Sequence, residues 1–183
     1  MKRCCAVVFL VLAVAGVARA EGSLSVMGSY WSPKGFQDTT GFGGKLLLGG
    51  KSFGLELRAS YFDSLKENDG LGNNDLQVIP LEAGLVLRAG EQELVPYLGA
   101  GAGYYILNGN SSGGGQYSVD DEVGWYAIGG LEFSIGKSTA VFGEALYRSV
   151  TGTAHADNLG DVHSNVNIDL SGLVVNFGFA IKF

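Results

Sequence analysis

The stretch GLVVNFGFAIKF, from Gly172 to Phe183, sets an apolar side chain at every odd position: Leu173, Val175, Phe177, Phe179, Ile181 and Phe183. Only a β-strand has this period of two. The facing set, Gly172, Val174, Asn176, Gly178, Ala180 and Lys182, is mostly small or polar. One face therefore suits an apolar medium and the other a crowded, partly polar one, which is the requirement of a barrel wall.

Extending the same reading along the chain predicts eight strands, at about Ser23 to Pro33, Gly41 to Gly49, Ser52 to Phe62, Leu76 to Arg88, Glu93 to Leu107, Glu122 to Ile135, Thr139 to Val150 and Val166 to Phe183. The connections alternate in length. Trp31 to Thr40, Asp63 to Asp75, Asn108 to Asp121 and Thr151 to Asn165 are long and rich in Gly, Asn, Asp and Ser. Gly50-Lys51, Glu91-Gln92 and Gly136-Lys137-Ser138 are tight turns. Long loops at one end and short turns at the other are the pattern of a membrane barrel, which a soluble sandwich has no reason to adopt. The expected fold is all-β, an eight-stranded antiparallel up-and-down transmembrane β-barrel.

The first 20 residues read as a cleaved signal peptide. Lys2 and Arg3 form the basic start, Cys4 to Ala18 the apolar stretch, and Ala18-Arg19-Ala20 the small-x-small site before Glu21. Fifteen apolar residues fall short of the roughly 20 that a spanning helix needs. Both cysteines leave with the peptide, so residues 21–183 can form no disulfide. Three of the twelve basic residues leave as well, and nine remain against eighteen acidic ones, a formal charge of −9. That balance argues against a nucleic-acid partner.

Aromatic placement supports a membrane-facing exterior. Tyr30, Tyr61, Tyr104, Trp125 and Tyr147 lie in the apolar register near the long-loop end, and Phe53, Phe133 and Phe183 in the same register near the short-turn end. Two such girdles bound an apolar band where Tyr and Trp favour the membrane interface. The opposite register gathers Lys45, Glu56, Arg58, Glu82, Arg88, Glu132, Glu144, Arg148 and Lys182. A narrow barrel has room for side chains alone, so a packed ionic and polar plug is expected. A two-residue turn at Gly50-Lys51 predicts Lys45 opposite Glu56, Leu46 opposite Leu55 and Leu48 opposite Phe53. One at Glu91-Gln92 predicts Glu82 opposite Gly101, over the small inward residues Gly99, Gly101 and Gly103.

With the Phe183-terminated strand, the segment Pro96-Tyr97-Leu98-Gly99-Ala100-Gly101-Ala102-Gly103 and the loop alternation in place, the chain resembles the small eight-stranded outer-membrane barrels of the OmpA and OmpX kind. The resemblance implies residence in the bacterial outer membrane, among its lipids and lipopolysaccharide. It also implies insertion by the barrel-assembly machinery with Phe183 as part of the signal, and a monomer. The chain ends with its barrel, so the cell-wall tethering of a peptidoglycan-binding domain is not expected. The role implied is structural, envelope-stabilising or surface recognition through the loops, with a small-solute channel as the alternative.

Sequence motifs add little chemistry. Gly50-Lys51-Ser52 and Gly136-Lys137-Ser138 lack the earlier glycine and the following helix of a phosphate-binding loop. Gly99-x-Gly101-x-Gly103 has strand spacing, not that of a dinucleotide-binding turn. His155 and His163, the only histidines, lie in the fourth long connection with Asp157, Asp161 and Ser164. A rim hydrolase acting on lipid A needs nucleophile and base on one face, whereas His163 and Ser164 are adjacent and in an extended segment point apart. The expectation is no enzyme, no catalytic residues, no cofactor and no metal; an acidic, Gly-rich loop reads as solvated.

Overall fold

The computed structural model describes residues 21–50, 52–66, 74–90, 93–111, 118–119, 121–157 and 163–183. The expected signal peptide, Asp161, and the turn residues Lys51, Glu91 and Gln92 lie outside them.

Among the described residues eleven strands form: β1 Gly22–Pro33, β2 Thr39–Gly49, β3 Phe53–Lys66, β4 Asn74–Arg88, β5 Leu94–Ser111, β6 Ser118–Val119, β7 Glu122–Ser134, β8 Thr139–Ser149, β9 Thr151–Asp157, β10 His163–Asp169 and β11 Gly172–Lys182. Eight of them close into an antiparallel barrel in the order β1-β11-β8-β7-β5-β4-β3-β2. The other three form a separate sheet in the order β10-β9-β6. Alternating side chains produce the wall: Leu24, Val26, Leu85, Leu98, Phe177 and Phe179 stand outside, while Ser25, Glu82, Glu144 and Asn176 are buried within.

The fourth long connection differs from expectation. Thr151 to Asn165 reads as a loop, yet β9 and β10 pair as a hairpin from Asp169↔Thr151 to His163↔Asp157. Cross-strand partners Thr153↔Asn167, Ala154↔Val166 and Gly152↔Ile168 override the weak propensity of its glycine and asparagines. The last predicted strand accordingly breaks at Leu170-Ser171. There Val150 N donates to Ser171 Oγ at 3.1 Å and Leu170 N to the Val150 carbonyl at 3.0 Å.

The turn registers also differ. Gly49 pairs with Gly54, so Lys45 lies opposite Arg58 instead of Glu56, Leu46 opposite Leu57 and Leu48 opposite Leu55. The cause is on the far edge of β3: Phe53 pairs with Leu87, and the Ser52 carbonyl accepts from Arg88 N at 2.9 Å, which draws both residues out of the β2 hairpin. Gly49 absorbs the turn at φ +151°. Glu82 likewise faces Gly103 instead of Gly101, and the β4–β5 pairing is extended by Ala89 N donating to the Pro96 carbonyl at 2.9 Å. Both slips are by two residues, so no side chain changes face.

A bulge in the β3–β4 ladder between Phe62 and Leu65 shifts the parity of β3 by one, and both side chains enter the interior. Phe62, Leu65, Trp31, Val78, Tyr105, Leu107, Val150 and Leu170 form an apolar core inside the long-connection half of the barrel.

Candidate functional site

The lumen is layered. In the middle, Glu144 accepts from Lys45 Nζ at 2.6 Å, Arg58 Nη1 at 2.5 Å, Tyr97 Oη at 2.6 Å and Asn176 Nδ2 at 2.9 Å. Arg58 Nη2 reaches Glu56 Oε1 at 2.9 Å, and Lys45 Nζ lies 3.7 Å from Glu56 Oε2. Arg148 binds Glu82 through Nε at 2.8 Å and Nη2 at 3.1 Å, and Tyr105 Oη donates to the same carboxylate at 2.9 Å. Three cations meet three carboxylates, so the layer is formally neutral, as buried ions must be to offset desolvation. Aromatic rings complete it: Lys45 Nζ lies 3.9 Å from the Phe142 centroid, and Arg148 Cζ lies 5.2 Å from that of Trp31.

Glycines on the wall make space for this layer. A Cβ on Gly84 would lie 2.4 Å from Tyr126 Oη, and one on Gly130 would lie 2.5 Å from Tyr97 Cζ. Tyr126 Cε1 also fills the space over Gly101, while Glu82 and Tyr105 share that over Gly103. The inward tyrosines Tyr97, Tyr105 and Tyr126 are not among the charged residues expected in the plug, whereas Asn176 belongs to the inward set read from the last strand. The signal of the tyrosines was available in the inward register itself, opposite glycines.

Above the ionic layer, at the long-connection end, the filling is apolar. Trp31 and Phe62 are fully buried and stack edge to face with centroids 5.0 Å apart. The expectation is a packed ionic and polar plug; at this end the interior packs instead as an apolar core. Below the ionic layer the lumen opens. Glu132 bridges Arg88 Nη2 at 2.6 Å and Lys182 Nζ at 2.8 Å. Beside them lies a cavity of about 450 Å³ that Glu21, Ser23, Lys137 and Phe183 help to line. Among the described residues the interior thus has a cavity toward the short turns and an apolar filling toward the long connections.

On the exterior, Tyr30, Tyr104, Trp125 and Tyr147 are exposed near the long-connection end, with Tyr61 half-buried among them, and Phe53, Phe133 and Phe183 are exposed at the other. Three of these tyrosines donate to nearby aspartates: Tyr30 to Asp38 at 2.5 Å, Tyr61 to Asp63 at 3.1 Å and Tyr104 to Asp121 at 2.6 Å. His155 and Asp157 fall on β9, and His163 and Ser164 on β10.

Residues 5–183 match the family described as outer membrane protein beta-barrel domain. The chain belongs to this family. It resides in the outer membrane. Solved structures of the same fold include Neisserial surface protein A (12% identity, 90% of this chain and 97% of that one, TM-score 0.63). Outer membrane protein W of E. coli is similar at 18% identity, 90% and 100% coverage, and TM-score 0.57. The attachment invasion locus protein Ail of Yersinia pestis, solved with the heparin analogue sucrose octasulfate, matches at 19% identity, 90% and 99% coverage, and TM-score 0.56. No curated protein matches the sequence.

Proposed function

We propose that this barrel is a non-conducting, non-enzymatic anchor that acts through the surface it presents outside the cell, as an envelope-stabilising or recognition protein. The observation that carries the reading is the apolar seal that Trp31, Phe62, Leu65 and Leu170, all buried, form over the ionic layer. The β6-β9-β10 sheet and the ends of β3, β4 and β5 supply a framework for recognition beyond the barrel. By this reading the protein is a monomer set among outer-membrane lipids and lipopolysaccharide after insertion by the barrel-assembly machinery.

Charge narrows the partner. The four long connections carry nine acidic residues and two lysines, Lys34 and Lys66. The sulfated ligand of Ail sets no precedent for such a surface, because like charges repel. A basic or neutral partner, or a polyanion bridged by divalent cations, fits better.

Planar-bilayer recording of the purified barrel tests the first half of the reading, with no discrete conductance expected. Steady channels in the wild-type protein would transfer the role to solute passage. For the second half, cells making the intact protein should bind a host or envelope partner that cells making a loop-shaved barrel do not.

A further inference from the structure

We infer that the short-turn end of the lumen carries a binding site for a phosphate-type oxyanion, supplied by Arg88, Lys137 and Lys182. The charge balance of the two polar layers points to it. In the ionic layer the three cations Lys45, Arg58 and Arg148 meet the three carboxylates Glu56, Glu82 and Glu144. Below that layer the count is unequal. Arg88 Nη2 at 2.6 Å and Lys182 Nζ at 2.8 Å are both drawn to the one oxygen Oε1 of Glu132. Two cations against one carboxylate leave a formal charge of +1, where burial makes an uncompensated charge costly. Side-chain exposure is 8% for Glu132, 17% for Arg88 and 28% for Lys182, so water screens this floor only in part.

The space beside the floor is shaped for an occupant. The cavity of about 450 Å³ has buried walls, Leu47 and Val95, and an exposed rim that includes Gly90 and Lys137. Gly90 holds φ +99°, a conformation that favours glycine, so the rim stays bare of a side chain at that point. The cations come from three directions: Arg88 from the end of β4, Lys182 from the end of β11 and Lys137 from the turn between β7 and β8. Lys182 Nζ also donates to Ser134 Oγ at 2.9 Å, and Ser134 and Ser138 join the lining. Donors arriving from several strands suit a tetrahedral oxyanion, whose oxygens point in as many directions; a planar carboxylate would be served by the Arg88 fork alone. Glu21 is the one acidic residue among the described lining residues, and it stands in solvent, where screening weakens its repulsion. A free phosphate compound and a phospholipid headgroup present the same chemistry to this mouth. Neither conductance nor surface recognition depends on the site.

Inorganic phosphate titrated into the full barrel in maltoside micelles, at constant ionic strength set with chloride, tests it through the backbone amide resonances of Gly90, Ser134 and Ser138. One saturable transition is expected. Arg88→Gln and Lys182→Gln should each weaken it by about tenfold or more, with unchanged heat-modifiable migration showing that the barrel is intact. The decisive variant has the opposite sign. Glu132→Gln removes the competing carboxylate, keeps both cations and should tighten phosphate binding. The source is read in phosphatidylglycerol nanodiscs without added phosphate: amide positions matching the phosphate-bound ones assign the occupant to a headgroup, and a site that still titrates with phosphate assigns it to a free anion. No saturable transition in micelles, wild-type affinity in Arg88→Gln and Lys182→Gln, or weakened binding in Glu132→Gln overturns the site.

Discussion

Lys45 Nζ lies 2.6 Å from Glu144 Oε2 on the opposite wall and 3.7 Å from Glu56 Oε2 on the adjacent strand. The across-lumen partner is therefore the primary one, although the turn between β2 and β3 suggests the other. Removing either member alone strands a buried charge, at a cost of about 3–5 kcal/mol. Double-mutant cycles of unfolding in lipid vesicles should give a larger coupling for Lys45→Met with Glu144→Gln than for Lys45→Met with Glu56→Gln. Equal couplings would place Lys45 midway between the two carboxylates and contradict the distances.

Gly130 and Tyr97 make a second paired prediction. The three nearest atoms to a Cβ at Gly130 belong to the side chains of Tyr97 and Glu144, with no backbone atom among them. Gly130→Ala should destabilise by about 1–3 kcal/mol. Adding Tyr97→Leu should recover part of that loss despite removing the hydrogen bond to Glu144. A double variant as unstable as the two single effects combined would mean that Tyr97 does not occupy this space.

Opening the seal should change transport. Trp31→Ala with Phe62→Ala removes both fully buried rings above the ionic layer. The variant is expected to show intermittent small conductances or faster dye leakage from liposomes, where the wild type shows neither. A silent variant that is still folded by heat-modifiability would assign the block to the ionic layer instead.

Asp169 predicts a pH response at the junction between the barrel and the β9–β10 hairpin. The Ser171 hydroxyl and N–H both donate to its carboxylate, with Lys34 Nζ 3.9 Å away, and these hold the carboxyl below its ordinary range. Because the folded value is lowered, the contribution is complete above the unfolded value of about 3.9 and is lost as pH falls through the folded one. The Ser171 amide resonance should therefore titrate with a midpoint below about 3.9. A midpoint at or above it would show that the capping bonds are absent.

Deleting Phe183 should lower the amount of barrel in outer-membrane fractions while export continues. The residue exchanges two backbone hydrogen bonds with Gly22, each of 3.0 Å, and its ring is exposed on the lipid side. Unchanged outer-membrane levels would remove Phe183 from assembly.

Period two made the wall legible in the sequence. Leu173 to Phe183 and the matching strands define an outside and an inside whatever the register, because a slip of two residues leaves every face unchanged. That same insensitivity hid the register. Nothing local in Gly50-Lys51-Ser52-Phe53 reveals that Ser52 and Phe53 pair with β4. The hairpin of β9 and β10 was hidden because its Gly, Asn and Asp content resembles a solvated loop, and only the alignment with Val166 and Ile168 makes it a sheet. For the lumen, alternation separated the charges from the lipid-facing residues. The parity change at Phe62 and Leu65, which carries Leu65 into the apolar seal, is a bulge that alternation alone does not announce.

The seam between β1 and β11 has a kinetic consequence. Seven of the eight barrel seams join strands that follow one another around the wall in chain order, whereas the eighth joins Ser23 to Lys182 across nearly the whole length of the chain. Loop-closure entropy and contact order both make that pairing the slowest to find. The last species before completion is then an open sheet with every local hairpin formed and two bare edges, β1 and β11, facing each other. Unpaired edges are where sheets capture the wrong partner. The hazard in the life of this protein is thus concentrated in a single event, the meeting of its first strand with its last, and an assembly catalyst that guards those two edges would guard the whole fold.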